Sequence, residues 1–403
     1  MMQLIKNADV YAPAHLGLCH VLVGCGKIMK IFPGNASLHE QTFLDLNIST
    51  KDLDGKKMIP GLIDGHVHLT GGGGEAGFRT SVPPIPLSNF TLAGVTTAVG
   101  VLGTDDCVRS TASLLARARG LREEGFSSYI LTGGYHVPVT TLTGSVKEDI
   151  VHLDLCIGCG ELAISDHRSS QPTFDELVRI AGDCHVANLM TGKAGTLHLH
   201  MGAGQRRMEM VKRALEETEI PSRIFNPTHC NRNLPLLEEA MELALLGSTI
   251  DVTAGTGKKG GGGGPTAAEA IRRYLKDDRM LPPEKITCSS DAGGSIPTFD
   301  EQGNLLRLGY GTSANLLVAI NELLHPTDGS DSLPLDVVLP PFTSNWATLL
   351  KIDDKKGRIA EGCDADLVVL EEAGEGVSVS DVMAMGVWHV VDGKAVVKGT
   401  FES

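Results

Sequence analysis

Through the middle of the chain, short apolar runs alternate with stretches of mixed polarity. Runs of the length and character of buried strands fall at 61–68, 95–100, 127–133, 161–166, 196–201, 223–229, 248–254 and 285–291. Between them, apolar residues three and four apart predict helices over 113–124, 174–189, 208–219, 234–246 and 267–277. Eight strands alternating with helices over about 290 residues predict an α/β chain folded as a TIM-like (β/α)8 barrel. Strand counting alone leaves a doubly wound open sheet as the competing architecture.

The two ends read differently. Residues 21–23 and 28–32 flank a glycine-bearing turn, and 365–370, 387–391 and 394–397 read as strands, the last two joined by Asp392–Gly393. These ends predict one small β-sandwich domain made of 1–59 and 352–403, set around a catalytic barrel spanning 60–351.

Composition narrows the partners. The chain has 403 residues, 42% of them hydrophobic, enough for a real core. Its 35 Lys plus Arg against 49 Asp plus Glu leave a net charge of −14, which argues against nucleic acid or an anionic membrane as the main partner. Nine cysteines are scattered without the density of a disulfide scaffold, as expected in a reducing cytoplasm. The first ten residues show no signal-peptide pattern, and no run nears the ~20 apolar residues of a membrane span. A cytoplasmic protein is expected. The glycine runs 71–74 and 260–264 both follow expected strands. A phosphate-loop reading of 255–260 fails because no Ser or Thr follows Lys258 or Lys259, so a mobile loop is expected there.

The chemistry concentrates at strand ends. His66 and His68 lie at i and i+2, on one face of a strand, where both can reach one ion. Glu161, His198, His200, His229 and Asp291 recur at the same end of strands four, five, six and eight. Four imidazoles, a bridging carboxylate and a terminal aspartate can hold a pair of divalent ions with positions open for water.

Neighbouring motifs add to that ring: the glycine loop leading to Glu75–Ala76–Gly77, Leu102–Gly103–Thr104–Asp105, Tyr135–His136, Ser165–Asp166–His167–Arg168, Thr228–His229 with Arg232, and Ser289–Ser290–Asp291. Together they resemble the isoaspartyl (β-aspartyl) dipeptidases, metallopeptidases of the amidohydrolase superfamily, over nearly the whole chain. The resemblance implies two zinc ions per subunit held by His66, His68, His200, His229 and Asp291, with Asp291 also the general base. It implies Glu75 for the substrate ammonium, Tyr135 for the scissile carbonyl, and Arg168 and Arg232 for carboxylates, with Gly73, Thr104 and Ser295 completing the pocket. It further implies a metal-bridging hydroxide as nucleophile, a small dipeptide as substrate, and a large homo-oligomer such as an octamer. One position departs from the family pattern. A lysine, carbamylated to bridge the two metals, is common where Glu161 stands. Glutamate supplies the same bridging carboxylate on a shorter side chain, and Glu161 is read here as the bridge; a weakened second metal site is the alternative.

Other candidates have plainer readings. His198 is assigned to packing or support of a ligand, His136 and His167 to structural roles, and Cys156 and Cys159 to ordinary thiols. His15, His20, His39, His152, His185, His325 and His389 show no partner pattern. The rival functions are a dihydroorotase, hydantoinase or D-aminoacylase with the same metal ring, and a catalytically silent scaffold.

Overall fold

A computed structural model describes residues 2–38, 43, 45–256, 263–299, 305–374 and 376–403. His39 and the 257–262 part of the expected mobile loop lie outside the described residues. Strands β1 (Met2–Tyr11), β2 (His15–Gly24), β3 (Lys27–Pro33), β4 (Ser49–Asp52) and β5 (Lys57–Pro60) open the chain. Eight short strands follow: β6 (Leu62–Val67), β7 (Val95–Gly100), β8 (Ser127–Thr132), β9 (Cys156–Ile164), β10 (Thr196–Met201), β11 (Phe225–Thr228), β12 (Ile250–Thr253) and β13 (Ile286–Ser289). A hairpin of β14 (Ser295–Phe299) and β15 (Leu305–Tyr310) comes next. Strands β16 (Leu367–Ala373), β17 (Gly376–Ala384), β18 (Val387–Val391) and β19 (Lys394–Ala395) close the chain. The two ends share one sheet in the order β19-β18-β17-β16-β5-β1-β2-β3, with β4 beside β1.

Strands β6 to β11 form one parallel sheet in chain order, and β12 and β13 pair as a separate parallel ladder. Every residue of these eight strands is buried, as expected of a parallel sheet covered on both faces. Backbone contacts close one gap: His68 N donates to Ala292 O at 2.8 Å, just beyond β13. Side chains span the other. Asn226 Nδ2 donates to Thr249 O at 2.7 Å, and Thr228 Oγ1 to Asp251 at 2.7 Å. The arrangement is TIM-barrel-like, with the ligand-type residues of the sequence at one end.

The expected helices are present as Thr111–Glu123, Phe174–Thr191, Glu209–Glu217, Leu234–Leu245 and Ala267–Leu275. Ser110, Thr173 and Thr266 each cap a helix N-terminus reciprocally with the residue three positions on, and Gly192 ends the longest helix in a left-handed conformation. Two differences from the sequence expectation stand out. Strand β9 begins at Cys156, five residues early, because its glycines dilute the apolar pattern; a Cβ at Gly158 would lie 2.5 Å from Thr196 O, so the close approach of β10 requires glycine. Helix Ala314–Leu324 was not foreseen because it is apolar on more than one side. It buries Leu316, Ala319, Ile320 and Leu323, while Asn321 bonds both backbone groups of Val377 at 2.7 and 2.9 Å.

A buried cation ties the terminal sheet to the barrel. Lys356 Nζ contacts Asp366 at 2.5 Å, Asp364 at 2.8 Å and Ser127 Oγ of β8 at 2.7 Å. Burial works against its charge, but Asp366 and Asp364 hold its pKa above the ordinary lysine value. Asp364 also meets Lys27 of β3, and Asp366 accepts from Met385 N. Replacing one member of a buried ion cluster strands the rest without compensation. Lys356→Met should therefore cost about 3–5 kcal/mol, read as a lower denaturant midpoint. Lys27→Met, at the exposed end of the same cluster, should cost under about 1 kcal/mol.

Candidate metal centre and cavity

Both oxygens of the Glu161 carboxylate are flanked by imidazoles. Oε1 lies 3.5 Å from His66 Nε2 and 3.4 Å from His68 Nε2; Oε2 lies 3.0 Å from His200 Nδ1 and 3.6 Å from His229 Nε2. Asp291 Oδ1 completes the first side, 3.5 Å from His66 Nε2 and 3.2 Å from His68 Nε2. Ligand-type atoms of His66, His68 and Glu161, of Glu161, His200 and His229, and of His66, His229 and Asp291 each lie within 4.8 Å of one another. The residues suit a cation. His66 Nε2, Glu161 Oε1 and Asp291 Oδ1 are buried and have no hydrogen-bond partner within the chain, a costly state that a bound ion would relieve.

The outer nitrogens of three of these rings are held. His66 Nδ1 meets His198 Nε2 at 2.7 Å, His229 Nδ1 meets Thr253 Oγ1 at 2.7 Å, and His200 Nε2 meets Asp166 Oδ2 at 3.0 Å. Such contacts orient imidazole ligands and set which nitrogen faces an ion. His229 and Asp291 also sit in left-handed backbone conformations (φ 61° and 54°), each costing about 1–3 kcal/mol in a non-glycine residue. Both turn abruptly off strand ends, which aims their side chains back into the cluster.

The electrostatics follow from charge packed out of reach of water. Burial opposes ionisation of Glu161, yet His66, His200 and His229 hold its pKa well below the usual carboxylate range. Burial is likewise overcome at Asp291, where His66 and His68 keep the carboxyl ionised. Against the effect of burial, Glu161 and Asp291 push His66 well above the ordinary imidazole value. Burial takes His229 down to about 3, so it stays neutral. Burial and then Glu161 raise Tyr135 well above 10, so its phenol keeps its proton.

The cluster forms the floor of a cavity of about 440 Å³. Gly73, Glu75, Thr104, Tyr135, Arg168, Arg232 and Ser295, all singled out in the sequence, line its walls beside His68, His200 and Asp291. Tyr135 OH is 2.7 Å from His200 Nδ1. Ser295 Oγ donates to Glu75 at 3.1 Å, and Glu75 lies 3.4 Å from Arg168 Nη1. Asp166, given no role from the sequence, grips the other edge of Arg168 through contacts of 3.0 and 2.9 Å. Its place two residues before Arg168, at the strand end beside His200, was the available signal. Asn226 and Thr253 carried none, since ordinary polar residues inside apolar strands do not announce long-range partners. His198 supports His66, as read from sequence. His136 bonds Asp106 at 2.7 Å and Arg168 O at 3.2 Å, a structural role, whereas the side chain of His167 is 90% exposed.

A profile of the amidohydrolase family matches residues 174–396, more than half of the chain. The chain is also similar to the β-aspartyl dipeptidase of the thermophilic keratin degrader Fervidobacterium islandicum AW-1, solved in complex with β-Asp-Leu dipeptide. That structure is 38% identical over 98% of each chain, with a TM-score of 0.87. The chain belongs to the amidohydrolase family. A second structure of the same Fervidobacterium enzyme matches at 37% identity, 98% coverage of each chain and TM-score 0.86. The dihydropyrimidinase of Brevibacillus agri NCHU1002, at 16% identity, 99% and 97% coverage and TM-score 0.65, shares the amidohydrolase fold.

Because the orphaned oxygens of Glu161 and Asp291 each lie 3.5 Å from the orphaned Nε2 of His66, removing bound metal should destabilise the fold. Exhaustive treatment with a chelator is expected to lower the thermal midpoint, and a divalent ion to restore it. Glu161→Ala, which removes the carboxylate facing all four imidazoles, should lose at least one ion by elemental analysis.

Proposed function

We infer that the protein is a metal-dependent β-aspartyl dipeptidase, hydrolysing the isopeptide bond of isoAsp-X dipeptides. One observation carries this reading: Glu75, Arg168 and Arg232 share a cavity with the cation-type cluster in a chain 38% identical to an enzyme solved with β-Asp-Leu. The substrate class presents one ammonium and two carboxylates, which one acid and two arginines complement.

His66, His68, Glu161 and Asp291 would hold one ion, and Glu161, His200 and His229 the other, both assigned as zinc. When bound, two divalent ions supply a water acidic enough to lose a proton near neutral pH and a Lewis acid for the carbonyl. Asp291 accepts the proton of the attacking water and passes it to the leaving amine. Tyr135, protonated throughout, donates a hydrogen bond to the oxygen on which charge develops. Glu75 receives the α-ammonium, with Ser295 steadying its carboxylate. Arg168, gripped from behind by Asp166, and Arg232 receive the carboxylates, while Gly73 and Thr104 shape the wall.

The same reading assigns 60–351 as the catalytic barrel and 1–59 with 352–403 as a small β domain, built on one shared sheet rather than a sandwich of two, in a cytoplasmic homo-oligomer, an octamer by the family resemblance. Among the described residues no helix is long and apolar enough to cross a membrane.

Activity on β-aspartyl but not α-aspartyl dipeptides is the expected result of a hydrolysis screen. Glu75→Gln should cost on the order of 2–5 kcal/mol in kcat/KM, the scale for a desolvated charge contact, with metal content unchanged. Full activity in that variant, or equal turnover of N-acylated substrates, would overturn the assignment.

Asp291→Asn keeps an oxygen in place but cannot carry a proton, so kcat should fall by at least ~10²-fold. Since Glu161 is already a carboxylate, metal-free enzyme should recover fully with zinc in bicarbonate-free buffer. A further gain on adding bicarbonate would count against Glu161 as the bridge.

A further inference from the structure

The interior of the barrel contains a hydrogen-bonded chain that ends on a candidate ligand and that the hydrolytic mechanism does not use. It begins at His66 Nδ1, passes to His198 Nε2 at 2.7 Å, continues from His198 Nδ1 to Asn226 Oδ1 at 2.6 Å, and ends where Asn226 Nδ2 donates to Thr249 O at 2.7 Å. All four residues are buried, so no water competes for these contacts.

The direction of the chain is determined from its far end. A backbone carbonyl only accepts, so the amide nitrogen of Asn226 must face Thr249 and its oxygen must face His198. That oxygen also only accepts, so His198 carries its proton on Nδ1. A second proton on His198 would place a charge on a fully buried ring with no carboxylate in hydrogen-bond contact. His198 Nε2 is therefore an acceptor, and His66 must donate from Nδ1. In the neutral ring that an ion ligand must be, the lone pair of His66 is then left on Nε2, the nitrogen that faces Glu161 and Asp291 and has no hydrogen-bond partner in the chain.

We propose that His198 and Asn226 are positioning residues that fix the tautomer and ring orientation of His66, so that its Nε2 is presented to a cation. The support is specific to one side of the cluster. His200 is backed by a carboxylate, Asp166, and His229 by a hydroxyl, Thr253; only His66 depends on this neutral relay. The chain links β6, β10, β11 and the start of β12, so it also ties the orientation of His66 to the seam that side chains alone close. Among metal-binding histidines, loss of such a partner typically lowers affinity 10–100-fold.

The test rests on the cluster being a metal centre, and it reads metal binding rather than turnover. Metal-free native enzyme, His198→Phe, His198→Gln and Asn226→Leu are titrated with zinc against a competing chromophoric chelator, with circular dichroism to verify folding. Native protein should bind two ions. His198→Phe and Asn226→Leu should bind one ion as native does and the other 10–100-fold more weakly. His198→Gln, whose side-chain oxygen can still accept from His66 Nδ1, should stay within a few-fold of native. Native-like affinity at both sites in folded His198→Phe overturns the proposal, as does a loss in His198→Gln as large as that in His198→Phe. If His198→Phe does not fold, the glutamine variant alone decides, since a relay predicts native-like affinity and a packing role predicts a loss. Failure of the native protein to bind zinc would instead overturn the metal-centre reading itself.

Discussion

A carboxylate sealed from water among four imidazoles constrains everything around it. Glu161 is 1% exposed, and an isolated buried charge of that kind would protonate rather than persist. It persists because positive or polarisable partners surround both oxygens. The barrel supplies those partners from β6, β10 and the turn after β11, with Asp291 arriving from beyond β13. No pair of adjacent strands could do this. Only a sheet curved round on itself brings Glu161 within 4 Å of four histidines from three separate segments.

The same constraint is met by a closely packed surrounding scaffold. The indole of Trp346 occupies the space beside residue 65, where any Cβ would come within 2.3 Å of the ring, and its Nε1 donates to Cys288 O at 2.8 Å. The segment carrying Asp64, Gly65 and His66 is thereby clamped to β13. Asp64 itself is bonded by Ser290 and Ser313. On the far side, Lys356 fastens β8 to the terminal sheet. Left-handed backbone at His229 and Asp291 survives only in such an over-determined setting, where relaxing one residue would disrupt several contacts.

Much of this was legible in the sequence because parallel barrels repeat a simple rule: an apolar run, then a polar residue at its end. His66, His68, His200, His229 and Asp291 follow that rule, and their convergence needs only the topology. Glu161 lies inside its strand instead, and the small residues around it obscured where β9 begins. Asn226 and Thr253 carry no such signal, for another reason. Their meaning depends on partners 28 and 24 positions away, His198 and His229, and no local pattern encodes such a pairing. Helix Ala314–Leu324 lacks a readable period because its exposed stripe is itself partly apolar, with Ala314 and Val318 facing outward, which blurs the amphipathic pattern that marks a surface helix.

The arrangement of charges in the cavity bears on which peptide linkage it suits. In a β-linked aspartyl dipeptide the α-ammonium and α-carboxylate remain free on one carbon, with the scissile carbonyl two carbons away. In an α-linked dipeptide that carboxylate is consumed by the amide, and the free one lies at the end of the side chain. Glu75 and Arg168 stand 3.4 Å apart, so groups bound to each must themselves be close neighbours, as an ammonium and carboxylate on one carbon are in the β-linked case. Asp166 holds Arg168 by Nε and Nη2 and leaves Nη1 turned toward Glu75, which fixes where the paired charges must sit. Arg232 lines the same cavity and, among the described residues, makes no ion pair; its Nε is buried without a partner. It is thus a cation without a carboxylate partner at the cavity wall. A cyclic amide such as a hydantoin carries neither the ammonium nor the two carboxylates. It would leave the Glu75–Arg168 pair closed on itself and Arg232 uncompensated, so the charge pattern disfavours such substrates before any contact with the metal floor.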